Sequence, residues 1–247
     1  EKNINNVKII DCSWHMPNSK RDGFSEYKNQ HIPNTIFFDL DKNSKKNTHL
    51  PHMLVEIDSW EKIVSEMGIK NSDVIVVYDN SDVISSCRCW FNFIYFGHSP
   101  KLIHILNGGL KKWIKENRVV TNEITKIQIS QYKSFEKKEL VKNKDMIDQN
   151  IPNQMFKVID ARSKERFEGK IPEPREGLRS GSIKNSLCIP FNQCINKDKT
   201  FKSKKDLEII FKTCIENVNE KNIVFSCGSG VTACVLALAY SLINDKY

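Results

Sequence analysis

Short apolar runs alternate with amphipathic stretches along the first half of the chain. Four runs have the length and composition of buried strands, within Val7–Ser13, His31–Leu40, Asp73–Tyr78 and Leu102–Leu106. Four stretches have the spacing of helices, within Arg21–Asn29, Asp58–Met67, Ser85–Phe96 and Gly109–Asn117. Because strands and helices alternate, the sequence predicts an α/β fold with a mainly parallel sheet covered by helices on both faces.

The second half of the chain repeats this pattern. Strand-like runs recur within Phe156–Arg162, Gly181–Phe191 and Asn222–Ser226, and an amphipathic helix at Lys204–Ile215 precedes the last of them. The spacing recurs as well, since Asp11 precedes Asp79 by 68 residues and Asp160 precedes Cys227 by 67. Two tandem copies of one unit explain the repeat. We therefore predict an N-terminal domain over 1–118, a polar, lysine-rich linker over 119–152 and a C-terminal domain over 153–247.

A small-residue loop, CGSGVT, joins the last predicted strand to an apolar helical run at Ala233–Ile243. Cys227 opens this loop, where the unpaired N–H groups and the positive dipole end of a helix are expected. Gly228 and Gly230 let the backbone curl so that several N–H groups point at one anion. A lone cysteine after a strand is usually an inert core residue. The glycines and the two hydroxyl side chains of this loop favour instead a reactive thiolate.

Charge and cysteine content narrow the class of protein further. The 38 basic and 30 acidic residues give a formal net charge of +8, but the lysines are dispersed, so we interpret them as solvated surface and expect no nucleic-acid partner. A positive field of this kind also helps to attract an anionic substrate. The eight cysteines form no CxxC pair and no metal-ligand spacing, so no metal site is expected.

The same features bear on where the protein works. No run approaches the roughly 18 apolar residues of a transmembrane helix, so we expect no membrane partner. Several cysteines lie in apolar runs, which favours a reducing compartment, and we predict a cytoplasmic monomer. The chain begins with Glu1 rather than Met, and a mitochondrial protein that has lost a targeting segment is the alternative.

Two kinds of enzyme use a cysteine in a loop of this size. Cysteine-dependent phosphatases end the loop with an arginine that holds the phosphate, but Ala233 stands there. The stretch CGSGVTA resembles the active-site loop of the two-domain rhodanese-type sulfurtransferases, and in particular of their 3-mercaptopyruvate branch. The resemblance covers Val7 to Ile243. It implies two rhodanese-like domains, the first non-catalytic and the second carrying a persulfide on Cys227. Sulfur transfer through a cysteine, the chemistry to which this resemblance points, implies no metal or organic cofactor.

The resemblance also implies the residues that surround the substrate. Gly228, Gly230, Val231 and Thr232 belong to the loop that would hold the transferred sulfur. The segment RFEGKIPEPR resembles the family's carboxylate-binding stretch, and the match assigns Arg166 and Arg175 to the carboxylate and carbonyl of the donor. The alternative is a structural ion-pair network between these arginines and the neighbouring glutamates, which are Glu165, Glu168, Glu173 and Glu176. Two further residues, Asp160 and Arg162, are expected to orient the strand end.

A stretch of the first copy, FFDLD…PHML, resembles a family segment that supplies an acid and a histidine. By residue matching these are Asp41 and His52, and with Ser229 they would form a relay that transfers a proton as sulfur leaves the donor. The alternative for His52 is an ordinary loop histidine.

Two departures from the family pattern stand out. The loop after Asp79 has no tyrosine, so Ile84 or Ser85 occupies that region. The chain also stops at Tyr247, four residues after the predicted active-site helix, where the family continues through a further strand and helix. We therefore expect a truncated second domain without its edge strand.

Together these features predict a sulfurtransferase. It would move sulfur from 3-mercaptopyruvate through Cys227 to a thiol such as thioredoxin or a small thiol, or to cyanide, and release pyruvate. One alternative is a thiosulfate sulfurtransferase, although the uncharged loop positions Gly228 and Ser229 argue against a small dianion. The other is a non-enzymatic persulfide carrier or binding module.

Overall fold

The computed structural model describes residues 6–175, 177–217 and 222–244. It divides into two compact units, and the chain passes from the first to the second at Lys138–Glu139, with Asp198–Thr200 grouped with the first unit. The domain boundaries predicted above stay a prediction. Among the described residues, no helix has the length and apolar character needed to cross a bilayer.

The first unit is built on a four-stranded parallel sheet. Its strands are β1 (Val7–Asp11), β2 (Thr35–Phe37), β3 (Val74–Tyr78) and β4 (Ile103–Ile105), in the order β2-β1-β3-β4. Its helices are α1 (Gly23–Asn29), α2 (Ile57–Glu66), α3 (Ser86–Tyr95) and α4 (Gly109–Lys115). Trp60 of α2 is fully buried and stacks on Phe96 with ring centroids 4.8 Å apart. Each of these elements lies within a stretch that the sequence predicted, except that α2 begins at Ile57, one residue before its predicted start.

The second unit contains a three-stranded parallel sheet within its described residues. Its strands are β5 (Lys157–Asp160), β6 (Leu187–Cys188) and β7 (Ile223–Ser226), in the order β6-β5-β7. Its helices are α5 (Lys144–Asn153), α6 (Lys164–Phe167), α7 (Lys204–Phe211) and α8 (Val231–Asn244). The core joins β5 to α7 and α8 through Ile159, Phe211 and Leu236, all fully buried. The repeated α/β pattern predicted from the sequence is confirmed.

The segment predicted as a linker is more ordered than its composition suggests. Its last part forms the helix α5, whose N-terminus is capped by Asn143 accepting from the N–H of Met146. Residues 119–138, which we call the strap, run along the first unit without a helix or strand, apart from an isolated bridge between Thr121 and His31 and a short 3-10 turn that begins at Lys138. Tyr132 is buried and its hydroxyl lies 3.1 Å from Nδ1 of His98. The strap is therefore part of the first unit's packing rather than a free connection.

Both sheets place their functional candidates at the carboxyl ends of strands. In the second unit β5 is central, and the chain crosses from β6 on one side to β7 on the other. In parallel α/β sheets, ligands bind outside the carboxyl ends at the point where the strand order reverses. The ends of β5 and β7, at Asp160 and Ser226, are such a point, and they pair directly in the sheet register.

Candidate active site

Cys227 is the first residue after β7 and is half-buried. The N–H of Ala161 donates to the carbonyl of Ser226 at 2.8 Å, which ties the end of β7 to the end of β5. Helix α8 begins four residues later at Val231, two residues earlier than the predicted start of its apolar run. The cysteine is thus held between a strand end and a helix start, as the sequence indicates.

The loop after Cys227 turns a backbone donor onto the sulfur. The N–H of Gly230 donates to Cys227 Sγ at 3.1 Å. Gly230 has φ +79°, a left-handed conformation that is costly for a residue with a Cβ. Because Val231 opens a helix at the next position, the helix dipole adds positive potential at this point. Both effects stabilise negative charge on the sulfur.

Arg166 and Arg175 both lie beside Gly228, one residue from the cysteine. Arg175 Nη1 donates to the carbonyl of Gly228 at 3.2 Å. A Cβ built on Gly228 would stand 3.3 Å from Arg166 Nη2 and 3.8 Å from Arg175 Nη1. A Cβ at position 228 would therefore crowd the Arg166 guanidinium, whereas its distance to Arg175 is an ordinary contact. The structure brings together the arginines and the loop that sequence matching assigned to one site.

The alternative interpretation of the arginines, an ion-pair network, is also present. Glu173 accepts from Arg166 Nε at 3.2 Å and from Arg166 Nη2 at 2.5 Å, and from Arg162 Nη1 at 2.8 Å. Arg162 in turn holds Asp160 through its Nε and Nη2 groups, with a shortest distance of 2.6 Å. The network thus connects the end of β5 to the arginine beside Gly228. Glu176, the last of the glutamates named as possible partners, lies outside the described residues.

Glu173 is an ionised carboxylate in this network. Its side chain is only 4% exposed. The hydrogen bonds from Arg166 are the largest influence on it, with the charges of Arg166 and Arg162 next among the favourable ones, and together they outweigh burial and hold the pKa of Glu173 below its usual value. Asp160, Glu173, Arg162, Arg166 and Arg175 leave one net positive charge, which suits an anionic ligand.

In the first unit, the predicted acid and histidine do form a pair. His52 Nε2 lies 2.9 Å from Asp41 Oδ1, and this hydrogen bond is the main reason that the pKa of Asp41 is lowered. Trp14 Nε1 donates to Asp41 Oδ2 at 3.0 Å, and the Trp14 ring meets the His52 ring edge-on at 4.8 Å. Arg88 Nη2 donates to the carbonyl of His52 at 2.6 Å. Ser229 belongs to the other unit, so the three-residue relay stays a prediction.

Sequence reasoning did not single out Trp14. It follows the β1 strand by three residues, and its backbone N–H donates to Ser85 Oγ at 3.1 Å while its carbonyl accepts from Ser81 Oγ. Trp14 therefore joins the strand end, the acid–histidine pair and the loop after β3. The signal that was available is position, because a large aromatic residue near the carboxyl end of a central strand lies where parallel sheets place their sites.

The loop after β3 holds a carboxylate where the second unit has its thiol. Asp79 accepts from the N–H groups of Ser81 at 2.8 Å and Ser86 at 2.9 Å. Burial raises the pKa of Asp79 despite these bonds. Ile84 in the same loop has φ +51°, a strained conformation for a β-branched residue. Asp79 therefore has a structural role, since it caps the start of α3.

The other cysteines of the second unit differ from Cys227. Burial raises the pKa of Cys188 to about 11 and that of Cys194 to about 12. Cys234, in the first turn of α8, is buried and donates to the carbonyl of Gly230 at 3.0 Å. Across the described residues, no group of three or more histidine, cysteine or acidic side chains is arranged to hold a metal ion.

Comparison with known proteins identifies relatives over nearly the whole chain. The family described as Rhodanese-like domain matches residues 1–116 and 139–245. The chain is similar to thiosulfate/3-mercaptopyruvate sulfurtransferase 1, mitochondrial, of Arabidopsis thaliana, with 39% identity over 94% of this chain and 66% of that protein. It is also similar to 3-mercaptopyruvate sulfurtransferase of Homo sapiens, with 31% identity over 94% of this chain and 78% of that protein.

A solved structure gives the same result for the fold. SseA from Escherichia coli, described among the 3-mercaptopyruvate sulfotransferases, superimposes with a TM-score of 0.86 and 27% identity. The match covers 97% of this chain and 89% of that one.

Proposed function

Because this chain belongs to the rhodanese-like family of two-domain sulfurtransferases, we propose that it moves sulfur from 3-mercaptopyruvate through Cys227 to a thiol acceptor. The comparisons with known proteins confirm the fold, the family and the sulfurtransferase class that the sequence predicted. The donor, the roles of individual residues and the acceptor are the content of the proposal.

The observation that carries the proposal is that Arg166 and Arg175 both lie beside Gly228, next to Cys227. Arginine binds a carboxylate through paired hydrogen bonds. In the described part of the chain, Arg166 Nη1 and Arg175 Nη2 make no hydrogen bond, so both can donate to a ligand. An α-keto acid held by these groups would present the rest of its short chain to the neighbouring thiol.

The reaction then follows from the position of the thiolate. Cys227 Sγ attacks the sulfur of 3-mercaptopyruvate, an S–S bond forms and the C–S bond breaks. The bonding electron pair of the C–S bond passes to carbon as the enolate of pyruvate, which is protonated to pyruvate. The outer sulfur remains on Cys227 as a persulfide, whose negative charge is stabilised by the Gly230 N–H and the α8 dipole. A thiol acceptor then attacks this sulfur and restores the Cys227 thiolate.

The site supports 3-mercaptopyruvate over thiosulfate as the donor. Gly228 and Ser229 contribute no charge beside the thiol, and two acids offset two of the three arginines in the cluster. The single remaining positive charge matches one carboxylate better than a compact dianion. The name of the Arabidopsis relative includes both donors, so thiosulfate is the second candidate.

Proton delivery to the enolate is assigned to the predicted relay of Ser229, His52 and Asp41. The hydrogen bond between His52 and Asp41 supports this assignment, because an ionised Asp41 would orient the imidazole. The part played by Ser229 rests on the resemblance alone.

The acceptor is proposed to be thioredoxin or a small thiol, and the protein to act as a monomer without nucleic-acid or membrane partners. The predicted location is cytoplasmic. A mitochondrial location is the alternative, and the mitochondrial Arabidopsis relative supports it. A persulfide carrier without turnover remains the non-enzymatic alternative.

The test is pyruvate release from 3-mercaptopyruvate in the presence of a dithiol, with thiosulfate and cyanide assayed in parallel. Cys227→Ser is expected to abolish pyruvate release while leaving the circular dichroism spectrum unchanged, whereas Cys234→Ser serves as a cysteine control. Turnover with thiosulfate only would change the donor. A persulfide on Cys227 without turnover would favour the carrier, and near-normal turnover in Cys227→Ser would refute the mechanism.

A further inference from the structure

Glu173 occupies a position that the proposed reaction does not use. It lies in the segment Ile171–Arg175, between Pro172 and Pro174. Proline fixes its own φ and restricts the residue before it to extended conformations. The backbone of Glu173 is therefore confined on both sides, and its carboxylate has little freedom to leave the position in which it meets the arginines.

The carboxylate of Glu173 binds the Nε–Nη2 edge of Arg166, and Nη2 is also the Arg166 atom nearest Gly228. It takes donors from Arg166 Nε and Nη2, while Nη1 makes no hydrogen bond among the residues that the structure describes. A second arginine, Arg162, shares the same carboxylate through its Nη1 group. Arg162 also binds Asp160 at the end of β5. The network therefore fixes the orientation of Arg166 relative to the central strand of the sheet.

We infer that Glu173 is a positioning residue, which orients the Arg166 guanidinium so that its remaining donors meet the carboxylate of an α-keto acid at Cys227. This inference rests on the proposed function, because it assumes that Arg166 binds the donor carboxylate. Glu173 itself does not touch the substrate. A flexible arginine beside an exposed loop loses rotamer freedom when it binds a ligand, and an arginine already held by a buried carboxylate loses less.

A purely electrostatic role for Glu173 predicts the opposite result. Removing its negative charge would raise the net positive charge of the cluster from one to two and would strengthen the attraction for any anion. A positioning role predicts weaker binding of the carboxylate despite this extra positive charge. The two roles therefore differ in the sign of the effect.

The experiment compares two reagents that alkylate the Cys227 thiol. Bromopyruvate carries the α-keto acid group, and the Cys227 sulfur displaces its bromide to form a C–S bond. Iodoacetamide makes the same kind of bond with loss of iodide but carries no charge. Both second-order rate constants are measured on the Cys227 peptide by mass spectrometry. The rate constant for bromopyruvate divided by that for iodoacetamide reports recognition of the carboxylate and does not require sulfur transfer.

In Glu173→Gln, we expect this ratio to fall about tenfold or more while the iodoacetamide rate stays unchanged. Glu168→Gln is the matched control, because Glu168 lies five residues before Glu173 and pairs with Lys170 near the surface. In an Arg166→Ala background, Glu173→Gln is expected to cause no further fall, since its effect acts through Arg166.

An unchanged or increased ratio in Glu173→Gln would overturn the inference. So would a fall in the ratio, when Glu173→Gln is added to Arg166→Ala, as large as the fall it causes in the wild type. These outcomes are separate from the test of the proposed function. A protein that releases no pyruvate but whose bromopyruvate ratio depends on Glu173 refutes the reaction and supports the positioning role. A protein that releases pyruvate with a ratio independent of Glu173 does the reverse.

Discussion

Asp11 and Asp160 end corresponding strands of the two units, but only Asp160 is paired with an arginine. Each carboxylate accepts from the backbone N–H two residues later at 2.9 Å, from Ser13 and Arg162 respectively. Asp160 also binds the Arg162 guanidinium, whereas the side-chain partners of Asp11 are uncharged hydroxyls, those of Ser13 and Tyr78. Burial therefore dominates at Asp11 and raises its pKa to about 6.

We predict that Asp11→Asn stabilises the first unit at pH 8. The folded-state pKa of Asp11 lies above its unfolded value, so ionisation destabilises the native state above pH 6, by about 1–3 kcal/mol. This penalty declines as the pH falls through about 6 and disappears near pH 4. The gain in the variant should follow the same course.

All four tryptophans lie in the first unit, at positions 14, 60, 90 and 113. Urea unfolding followed by tryptophan fluorescence therefore reports on that unit. Asp160→Asn is the contrasting variant, because it deprives Arg162 of one of its two carboxylates and is expected to destabilise the second unit at neutral pH, which circular dichroism would follow. A difference between wild type and Asp11→Asn that does not vary with pH would contradict the explanation.

Arg166→Ala and Arg175→Ala are both expected to raise the KM for 3-mercaptopyruvate, by about tenfold or more. Only Arg166→Ala should also lower the melting temperature, because it removes two hydrogen bonds from the buried Glu173 carboxylate. Arg175 makes a single bond to Gly228, so its loss should leave stability unchanged. Lysine at either position is not expected to restore the KM, since it lacks the paired donors.

Steady-state kinetics and thermal melts followed by circular dichroism test this pair. A normal KM in both alanine variants would remove the arginines from the donor site. Equal losses of stability in the two variants would contradict the difference in their contacts.

The two loop glycines should fail in different ways. A Cβ at Gly228 would lie 3.3 Å from Arg166 Nη2, so Gly228→Ala is expected to displace this arginine and raise the KM severalfold. Gly230 has φ +79° and donates to the sulfur, so Gly230→Ala is expected to lower kcat and to cost about 1–2 kcal/mol of stability. Kinetics of the two variants would contradict this account if the KM and kcat effects were exchanged.

Thiol reactivity should separate Cys227 from its neighbours. At pH 7.5 we expect iodoacetamide to modify Cys227 well before Cys188 and Cys194, whose raised pKa values keep them protonated. The rate at Cys188 should increase about tenfold per pH unit until it levels off near pH 11. Peptide mass spectrometry over a pH series measures both, and early labelling of Cys188 would contradict the prediction.

Asp41→Asn tests the proposed relay. Because the hydrogen bond with His52 lowers the pKa of Asp41, the ionised carboxylate is the form that would orient the imidazole. We expect kcat to fall by about tenfold or more without a change in KM. Asp39→Asn is the control, since Asp39 binds only the N–H and side chain of Lys42 on the surface. A normal kcat in Asp41→Asn would remove the acid–histidine pair from proton transfer.

Much of this architecture could be predicted because it depends on local pattern. The apolar runs of β1, β3 and β5 form strands with buried residues, and the run of β7 forms a strand whose four residues are half-buried rather than buried. The loop at Cys227 could be predicted because its glycines and its cysteine follow a strand and precede a helix. Arg166 and Arg175 were assigned to the donor site by their resemblance to a family segment, and the structure places both beside Gly228.

Other features could not be obtained in this way because they depend on contacts between distant residues. Trp14 gains its significance from Asp41, His52 and Ser85, which lie 27 to 71 positions along the chain. The sequence identifies Glu173 as one possible partner in an ion-pair network. Only the structure shows that it pairs with Arg162 and Arg166. The strap has the polar composition of a linker, and only its packing reveals a structural segment.

The strap packs its backbone against the ends of two helices. Gly68 follows α2, and a Cβ there would lie 2.5 Å from the Gln128 carbonyl oxygen. Gly97 follows α3, and a Cβ there would lie 2.8 Å from the Phe135 carbonyl oxygen. Ser130 and Phe135 also donate to the backbone of Ser65 and Phe96. In evolutionary terms, each glycine is coupled to a segment 60 or 38 residues further along the chain. A side chain at either position would survive only with a compensating change in the strap, so this lysine-rich stretch is less free to drift than its composition implies.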